Sequence, residues 1–334
     1  MAATTTEAPP INLEGELIIS DKDELLGSRD GYTWIHLRKD YVVKQMLMSN
    51  QDDRSNGMIE LIQNEMMILA NYYHPHLIKL SKAEVFVTDQ VKYRRRKGRL
   101  DDDPSWLTCQ MYLPRGEPFE STGDIEKDKL LITELISILS ALQEAEFFYP
   151  DIKVCNVVLI DNHVQLIDFG VLCKNDGRED LQLGTDGDLS NQYKFGKKRI
   201  FCSERIKQEI ESSDENSRTF FSLGLTIIEF LTGKFSHRQN WSHYIDMTFF
   251  PVEYLKRYHF PEEINNLLLK LFGPAKQRVR RFRDLPKLVP DFEFVPLRKY
   301  SVTPIKKTRT DFFDKTKFED YPSVIESTRC LIKG

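Results

Sequence analysis

The sequence lacks the features that mark several whole classes of protein. No stretch of the 334 residues approaches the run of roughly 18 apolar residues that a membrane-spanning helix needs. Residues 1–10 are small and polar, with neither the basic nor the apolar region of a secretory signal. We therefore expect an intracellular protein, cytoplasmic or nuclear, that does not bind membranes.

Cysteine is scarce, and neither sign of charge dominates. The five cysteines are scattered, without a CxxC pattern or a paired histidine spacing, so neither a disulfide framework nor a zinc site is indicated. The 47 basic and 51 acidic residues give a net charge of −4, which argues against binding nucleic acid mainly by electrostatics. The basic cluster at 92–99 resembles a nucleic-acid or localisation patch. Because Asp101–Asp103 follow at once, we interpret it as a solvated loop whose charges compensate.

What remains is an ordinary globular composition, with 40% hydrophobic and 29% charged residues. The length predicts about two domains or one bilobal unit. The first part is strand-rich, interrupted by one amphipathic helix, and the second part is helical. The predicted elements are a hairpin of 34–37 and 41–46, a helix over 57–72, strands at 77–80, 84–87 and 107–113, and helices over 129–145 and 220–232.

The chemistry is concentrated in two short runs. Asp151, Lys153 and Asn156 stand close together, and Asp168-Phe169-Gly170 begins twelve residues after Asn156, beyond a predicted strand-turn-strand. Either run alone is a weak signal, but their order and spacing together are specific. In these two runs the sequence resembles the eukaryotic protein kinase superfamily, over about residues 25–285.

The resemblance implies a role for each of these residues in phosphoryl transfer from ATP. Asp151 would accept or orient the proton of the substrate hydroxyl, and Lys153 would stabilise the migrating phosphoryl group. Asn156 and Asp168 would hold Mg²⁺, or Mn²⁺, on the ATP phosphates. A lysine two residues after the catalytic aspartate resembles the serine/threonine branch. The alternative is that these residues persist as turn and cap residues in an inactive kinase fold.

Further positions match the family pattern in the first part of the chain. Lys44 resembles the lysine that binds the α- and β-phosphates, and Glu65, 21 residues later, resembles its helical ion-pair partner. Two surface charges are the alternative. Residues 109–117 resemble the hinge that binds adenine through backbone groups. Gln110 would be the gatekeeper, and the expected nucleotide contacts are Met111, Leu113 and Glu117.

Other positions depart from the family pattern. Gly27 and Gly31 remain of the glycine-rich loop, but Arg29 stands near the expected middle glycine, where it would weaken the phosphate cradle or itself contact phosphate; a plain β-turn is equally compatible. Tyr149-Pro150 replaces His-Arg, which removes the arginine that would read a phosphorylated activation loop.

The departures continue beyond residue 170. Lys197 replaces the threonine that bridges the catalytic Asp and Lys, so it would pair with Asp151, bind an acidic substrate, or be a solvated lysine. Thr219 replaces the aspartate that anchors the catalytic loop, so a hydroxyl or another contact must satisfy the backbone amides of that loop. Arg278, or its neighbours at 280 and 281, would pair with Glu204.

These observations predict an α+β protein with a bilobal kinase-like fold, a small β-rich N-lobe and a larger helical C-lobe. The expected divisions are a disordered N-terminus at 1–15, an N-lobe with a five-stranded sheet and a helix at 16–111, a hinge and C-lobe at 112–288, and an extension at 289–334. The preferred function is ATP- and Mg²⁺-dependent phosphorylation of protein serine or threonine. The alternative is a pseudokinase scaffold that acts by docking protein partners. The extension would wrap the lobes or dock a partner, and the oligomeric state stays open.

Overall fold

The structure is a computed structural model, and it divides the chain into two compact units. It describes residues 8–12, 15–18, 25–26, 33–49, 55–89, 93–94, 100–101, 105–149, 151–174, 215–233, 255–256, 258–272 and 279–300. Of these, the first unit holds residues up to 73, residues 78–116 and residues 298–300, and the second holds 74–77 and 117–297.

The first unit is built on one mixed sheet. Its strands are β1 (Ile11–Asn12), β2 (Leu25–Leu26), β3 (Thr33–Leu37), β4 (Tyr41–Ser49), β6 (Lys82–Asp89) and β9 (Ser105–Pro114), in the order β1-β6-β9-β4-β3-β2. All neighbours are antiparallel except β1, which runs parallel to β6. Outside this sheet, β5 (Tyr72–Tyr73) pairs with β15 (Arg298–Lys299), and β7 (Tyr93–Arg94) pairs with β8 (Leu100–Asp101).

The register of the central strands decides which side chains share a face. Lys44 on β4 lies directly opposite Met111 on β9, and Gln45 lies opposite Gln110. Because successive side chains of a strand point to opposite faces, Lys44 and Met111 share one face and the two glutamines share the other. The predicted hairpin is confirmed, and Arg38 N–H donates to Tyr41 O at 2.9 Å across its turn.

Helix α1 (Ser55–Asn71) is the one helix described in the first unit. Its second half is apolar at helical spacing, with Ile62, Met66 and Leu69 buried. This confirms the predicted helix over 57–72. The helix ends at Asn71, immediately before β5 and the His74-Pro75 pair, where proline disfavours helical backbone at the preceding residue.

Three details between residues 8 and 116 differ from prediction. The sheet has six strands instead of five, because β1 joins its edge. For residues 11 and 12 the prediction of disorder is wrong, because Pro10 O accepts a hydrogen bond from Ala83 N–H at 3.0 Å and the ladder continues from there. The predicted strand at 77–80 is also wrong. Leu77 makes a single bridge to Leu166, and the apolar residues of this segment are buried without a ladder.

The second unit is mainly helical in the residues described. Its helices are α2 (Ile125–Glu144), α3 (Glu215–Thr232) and α4 (Glu262–Phe272), with short 3₁₀ turns at Val154–Asn156 and Phe282–Asp284. Its strands are β10 (Glu117–Pro118), β11 (Phe147–Phe148), β12 (Val157–Ile160), β13 (His163–Leu166) and β14 (Cys173–Lys174). They form the ladders β10-β12-β13 and β11-β14.

Local sequence explains the ends of these helices. Asp124 caps α2, because its carboxylate accepts hydrogen bonds from the N–H groups of Glu126 and Lys127. Helix α3 ends at Thr232, and the next residue, Gly233, has a φ of 59°, the left-handed conformation that glycine adopts without strain. A Cβ at Gly224 would lie 2.7 Å from the ring of Phe272, so glycine lets α3 approach α4 closely. The helices predicted over 129–145 and 220–232 are confirmed.

The unit boundaries differ from the predicted domain boundaries. The first unit runs through Gly116 and so includes most of the segment assigned to the hinge. Residues 289–297 of the predicted extension belong to the second unit, whereas 298–300 belong to the first. In the part of the chain that the structure describes, no helix is long and apolar enough to cross a membrane.

Candidate functional site

Lys44 and Glu65 form a buried ion pair in the first unit. Lys44 Nζ lies 2.7 Å from Glu65 Oε2, and their side chains are 12% and 2% exposed. Strand β4 carries the lysine, and α1 places the glutamate toward the sheet among its apolar residues. An ammonium and a carboxylate with so little solvent access attract each other strongly. Removing either one would leave the other as a buried unpaired charge, which is strongly destabilising. The predicted pair is therefore present, and the surface-charge alternative does not apply.

The sheet around this ion pair is apolar. By strand alternation, Val42, Met111 and Leu113 share the face of Lys44, and Met111 and Leu113 are buried. Cys109 is on the same face, and burial raises the pKa of its thiol to about 12, with the nearby Glu65 carboxylate as a second cause. This face therefore presents one ammonium group among apolar side chains. Such a surface suits a ligand with both an anionic and a flat apolar part.

Gln110 does not occupy the gatekeeper position that the sequence predicts. Its amide lies on the other face of the sheet, where Nε2 donates to Glu84 Oε2 and to Glu16 O, each at 3.0 Å. Its Oε1 accepts the N–H of Ile18 at 3.1 Å. Met111 stands on the Lys44 face instead. The prediction fails because the hinge motif does not specify the strand register, and a shift of one residue moves a side chain to the opposite face.

The remaining predicted nucleotide contacts are placed as follows. Met111 lies between β4 and β6 in the ladder, and Leu113 lies near the end of β9 opposite Val42. Glu117 is exposed on β10 and pairs with Leu159 in the second unit. Gly27 and Gly31 lie outside the described residues, as does Arg29.

Asp151, Lys153 and Asn156 are brought together in the second unit. Lys153 Nζ lies 2.7 Å from Asp151 Oδ2, and the two side chains are 13% and 4% exposed. Asn156 Nδ2 donates to the same Asp151 Oδ2 at 2.9 Å and to the backbone oxygen of Asp151 at 2.8 Å. The amide nitrogen of Asn156 therefore donates to Asp151, while its amide oxygen lies 4.0 Å from the Cys155 thiol, which donates to it.

The backbone of this loop explains the arrangement. Lys153 is extended, with φ −160° and ψ 158°, so residues two apart lie on the same side of the chain. A 3₁₀ turn follows, closed by a hydrogen bond from Asn156 N–H to Lys153 O at 3.0 Å. Ile167 N–H then donates to Asn156 O at 2.9 Å. This last contact brings Asp168, the next residue, close to Asn156.

Asp168 has a left-handed backbone, with φ 62°, and is half-buried. Aspartate is among the few residues that tolerate this conformation. The neighbouring Phe169 is buried and its ring centroid lies 5.5 Å from that of Tyr149. Tyr149 OH donates to Ile167 O at 2.8 Å. Burial, followed by the carboxylates of Asp151 and Asp168, raises the pKa of Tyr149 far above its ordinary value.

Tyr149 therefore links the two motifs, a role that the sequence reasoning missed. In the sequence, Tyr149 stands out only as a departure from the family's His-Arg. The signal was the aromatic residue itself, because a tyrosine in a buried loop needs a partner for its hydroxyl. Pro150 lies outside the described residues.

One oxygen of the central carboxylate has no hydrogen-bond partner among the described residues. Asp151 Oδ1 is buried and accepts no hydrogen bond in the part of the chain that the structure describes. An unsatisfied buried acceptor is unfavourable by about 1–3 kcal/mol. Lys153 and Asn156 both bind Oδ2. A hydroxyl group of a ligand would therefore form its most favourable hydrogen bond by donating to Oδ1.

Helix α3 supports the loop through a residue that the sequence analysis did not single out. Thr226 Oγ1 lies 2.8 Å from Ser222 O and 3.3 Å from Ile152 O, and its single proton is directed at these two carbonyls. Thr219, which stands where the family has its anchoring aspartate, is buried on the same helix. Thr226 contacts the loop through a hydroxyl, but it donates to a backbone carbonyl. That a hydroxyl or another contact satisfies the loop's backbone amides therefore stays a prediction. The sequence feature that could have identified Thr226 is a threonine within an apolar helical run.

Several predicted residues cannot be placed. Lys197, Glu204 and Arg278 lie outside the described residues. Arg281 is described, and its guanidinium makes two bonds to Asp284, of 2.8 and 2.9 Å. Its predicted pairing with Glu204 stays a prediction.

The donor set near Asp151 fits a magnesium ion. Among the described residues, no cluster of three or more His, Cys, Asp or Glu side chains could hold a metal by itself. Asn156 and Asp168 offer one amide oxygen and one carboxylate, which are hard ligands. Mg²⁺ in proteins is commonly bound by one or two such side chains, with water and substrate phosphates completing the octahedron.

A comparison with known families is consistent with this geometry. A search among curated protein sequences finds no match. The protein kinase domain family, by contrast, matches residues 32–279, most of the chain, and domains of this family generally use ATP and Mg²⁺. The matched segment includes the Lys44–Glu65 pair and the loop from Asp151 to Asp168. The chain belongs to the protein kinase domain family.

Proposed function

We propose that this protein is an ATP- and Mg²⁺-dependent kinase that phosphorylates serine or threonine hydroxyls of proteins. The observation that carries the proposal is Oδ1 of Asp151, which accepts no hydrogen bond from the residues that the structure describes. A carboxylate with one oxygen bound by Lys153 and Asn156 is held in a single orientation, and its other oxygen can accept a hydrogen bond from a hydroxyl. That is the arrangement a positioned general base requires.

The other side chains of the loop have complementary roles in this proposal. Lys153, already held at 2.7 Å from Asp151, would also donate to the transferred phosphoryl group. Asn156 and Asp168 would hold Mg²⁺. When bound, the metal ion neutralises charge on the phosphate oxygens. Lys153 in its position two residues after Asp151 supports the serine/threonine branch.

Lys44 would bind the nucleotide phosphates in the proposed reaction. Its ammonium is held by Glu65, so it is oriented before the ligand arrives and loses little side-chain freedom on binding. The apolar residues on the same face, Val42, Met111 and Leu113, would contact the base. The substrate is a protein, and no nucleic-acid ligand is proposed.

A pseudokinase scaffold is the second candidate, and one contact favours it. The direct bond between Lys153 and Asp151 partly neutralises the carboxylate, which weakens it as a base. The departures at Arg29, Lys197 and Thr219 point the same way. In this reading the protein binds nucleotide and acts through protein partners without efficient transfer.

The test combines a transfer assay with a binding assay. The full chain is incubated with ATP, Mg²⁺ and a mixed peptide library, and phosphate incorporation is measured beside a thermal-shift titration with ATP. Asp168→Asn is the test variant. Asp161→Asn is the matched control, because Asp161 also has a positive φ, of 52°, but is exposed in the β12–β13 turn.

The kinase proposal predicts transfer by the wild type and by Asp161→Asn, and loss of transfer in Asp168→Asn. Stabilisation by ATP with Mg²⁺ but no transfer under any metal condition would favour the scaffold. A folded wild type without stabilisation at millimolar ATP would contradict both nucleotide-dependent readings, since binding stabilises the folded state by mass action.

A further inference from the structure

The carboxyl end of α1 is completed by a distant part of the chain. The last four carbonyl groups of a helix have no partner within it. Tyr300 N–H donates to Asn71 O, the terminal carbonyl of α1, at 2.9 Å. The preceding residues, Arg298 and Lys299, pair as β15 with Tyr73 and Tyr72, which directly follow the helix. We call residues 298–300 the C-terminal strap.

Side chains reinforce this backbone contact. Tyr300 is 5% exposed, and its ring centroid lies 5.4 Å from that of Tyr73. Lys299 Nζ lies 5.7 Å from the ring centroid of Tyr72. The last turn of α1 contains no basic residue, so Arg298 and Lys299 bring positive charge to the negative end of the helix dipole.

The strap is attached to the helix that carries Glu65. The Lys44–Glu65 contact of 2.7 Å joins two separate elements, because β4 carries the lysine and α1 carries the glutamate. The position of α1 against the sheet therefore bears directly on the ion pair. Sheet packing restrains the helix laterally, and the strap restrains its terminal carbonyl.

We propose that the C-terminal strap positions α1 so that Glu65 holds Lys44, with Tyr300 as the positioning residue. This inference deepens the proposed function and rests on it in one respect, the binding of nucleotide by Lys44. The strap makes no contact with the nucleotide in this proposal. It acts through the helix.

Tyr300→Pro in the full chain is the sharpest test. Proline lacks the N–H that bonds to Asn71, while the extended backbone required of Lys299 before a proline is already that of a strand. Tyr300→Phe is the conservative variant, because it keeps both the N–H and the ring contact with Tyr73. Two quantities are measured, the hydrogen-exchange rates of the α1 amides over residues 62–71 and the Kd for ATP with Mg²⁺.

The strap proposal predicts that Tyr300→Pro accelerates exchange in the second half of α1 and weakens ATP binding by about ten-fold. Tyr300→Phe should match the wild type in both. In a Glu65→Gln background, Tyr300→Pro should not weaken ATP binding further, because the ion pair through which the strap acts is already lost. A merely structural strap would give additive losses, and additivity would overturn the proposal.

Two outcomes separate the strap from the kinase proposal. If wild type binds ATP while Tyr300→Pro changes neither exchange nor Kd, the strap proposal is overturned and the kinase proposal stands. If wild type binds no ATP, the kinase proposal fails, and unchanged α1 exchange in Tyr300→Pro overturns the positioning role independently. Should Tyr300→Pro not fold, Tyr300→Ala, which removes only the ring contact, is measured in its place with the same expected direction.

Discussion

A buried lysine–carboxylate pair lies in each of the two units, and the pairs differ in origin. Both have a nitrogen–oxygen distance of 2.7 Å and similar burial. Lys44 and Glu65 are 21 residues apart on a strand and a helix, whereas Asp151 and Lys153 are two apart on one loop. The first pair exists only while α1 is packed correctly, and the second is closed by local backbone geometry. Substitutions far from either pair should therefore disturb the Lys44–Glu65 pair more than the Asp151–Lys153 pair.

The carboxylates also differ in what else they bind. Asp151 accepts from Asn156 as well as Lys153, and its Oδ1 has no partner among the described residues. A carboxylate held on one side and open on the other suits proton acceptance, whereas a carboxylate that orients a lysine suits ligand binding. The two pairs should therefore respond differently to substitution.

The largest expected effect is that of Asp151→Asn. Removing the proposed base while keeping the shape of the side chain should lower the single-turnover rate by about 1,000-fold. ATP affinity should change by less than about two-fold, because the Lys44–Glu65 pair is untouched. Asp161→Asn is the control. A rate within about three-fold of wild type would show that Asp151 is not the base.

Breaking the first pair should mainly affect stability and nucleotide binding. Glu65→Gln leaves a buried ammonium without its carboxylate and should destabilise the first unit by about 3 kcal/mol, seen in the urea midpoint. The double variant Lys44→Met/Glu65→Leu should recover most of that loss, since apolar replacement of a buried ion pair is close to neutral. If the single and double variants were destabilised equally, the unpaired buried ammonium would not be the cause of the destabilisation.

A pH-dependent effect is expected near the second pair. Burial raises the pKa of Glu229 on α3 to about 7. A carboxyl whose folded-state pKa lies above its unfolded value binds its proton more tightly when folded. Its contribution to stability is present at acidic pH and is lost as pH rises from about 4.5 to about 7. Because the group is only half-buried, solvent screening limits the loss to about 1 kcal/mol.

Glu229→Gln should remove this pH dependence and raise Tm at pH 8 relative to wild type while leaving Tm at pH 5 nearly unchanged. Glu120→Gln, at an exposed position, is the control. If the Tm of the wild type and the Tm of Glu229→Gln changed equally with pH, ionisation of Glu229 would not lower the stability of the folded state.

The smallest expected effect concerns the support of the loop by α3. Thr226→Val keeps the shape of the side chain but removes the hydroxyl beside Ile152 O, and should lower stability by about 1 kcal/mol or less. Thr133→Val on α2 is the matched control, because that hydroxyl donates to Lys129 O within its own helix. Only Thr226→Val should also slow transfer, which a single-turnover assay can detect. Equal effects of both variants on transfer would remove the loop-supporting role.

Much of the first unit followed from local patterns. Alternation and turn composition predicted the β3–β4 hairpin, and helical spacing predicted α1. The strand predicted at 77–80 failed because a short buried apolar run has no periodicity that separates a strand from an irregular core segment. The β1 strand was missed because two residues are too few to show alternation.

For the candidate site, the motif residues were predicted and their contacts were not. The resemblance identified Lys44, Glu65 and the loop residues, but it assigned Gln110 to the wrong face. The roles of Tyr149 and Thr226 depend on which carbonyl each hydroxyl meets. That information is absent from the spacing of the residues along the chain.

The sequence by itself determined the loop chemistry and most of the longer elements, because those depend on residues a few positions apart. Asp151, Lys153 and Asn156 fall within one extended segment and one turn, so their meeting is nearly implied by their spacing. Only the tertiary structure decided that Met111 shares a face with Lys44, that Thr226 lies beside Ile152, and that Tyr300 completes α1. Such long-range contacts arise from strand register and from the close packing of whole elements. A shift of one residue in the register of a strand, or in the way that a helix packs, would replace these contacts with others.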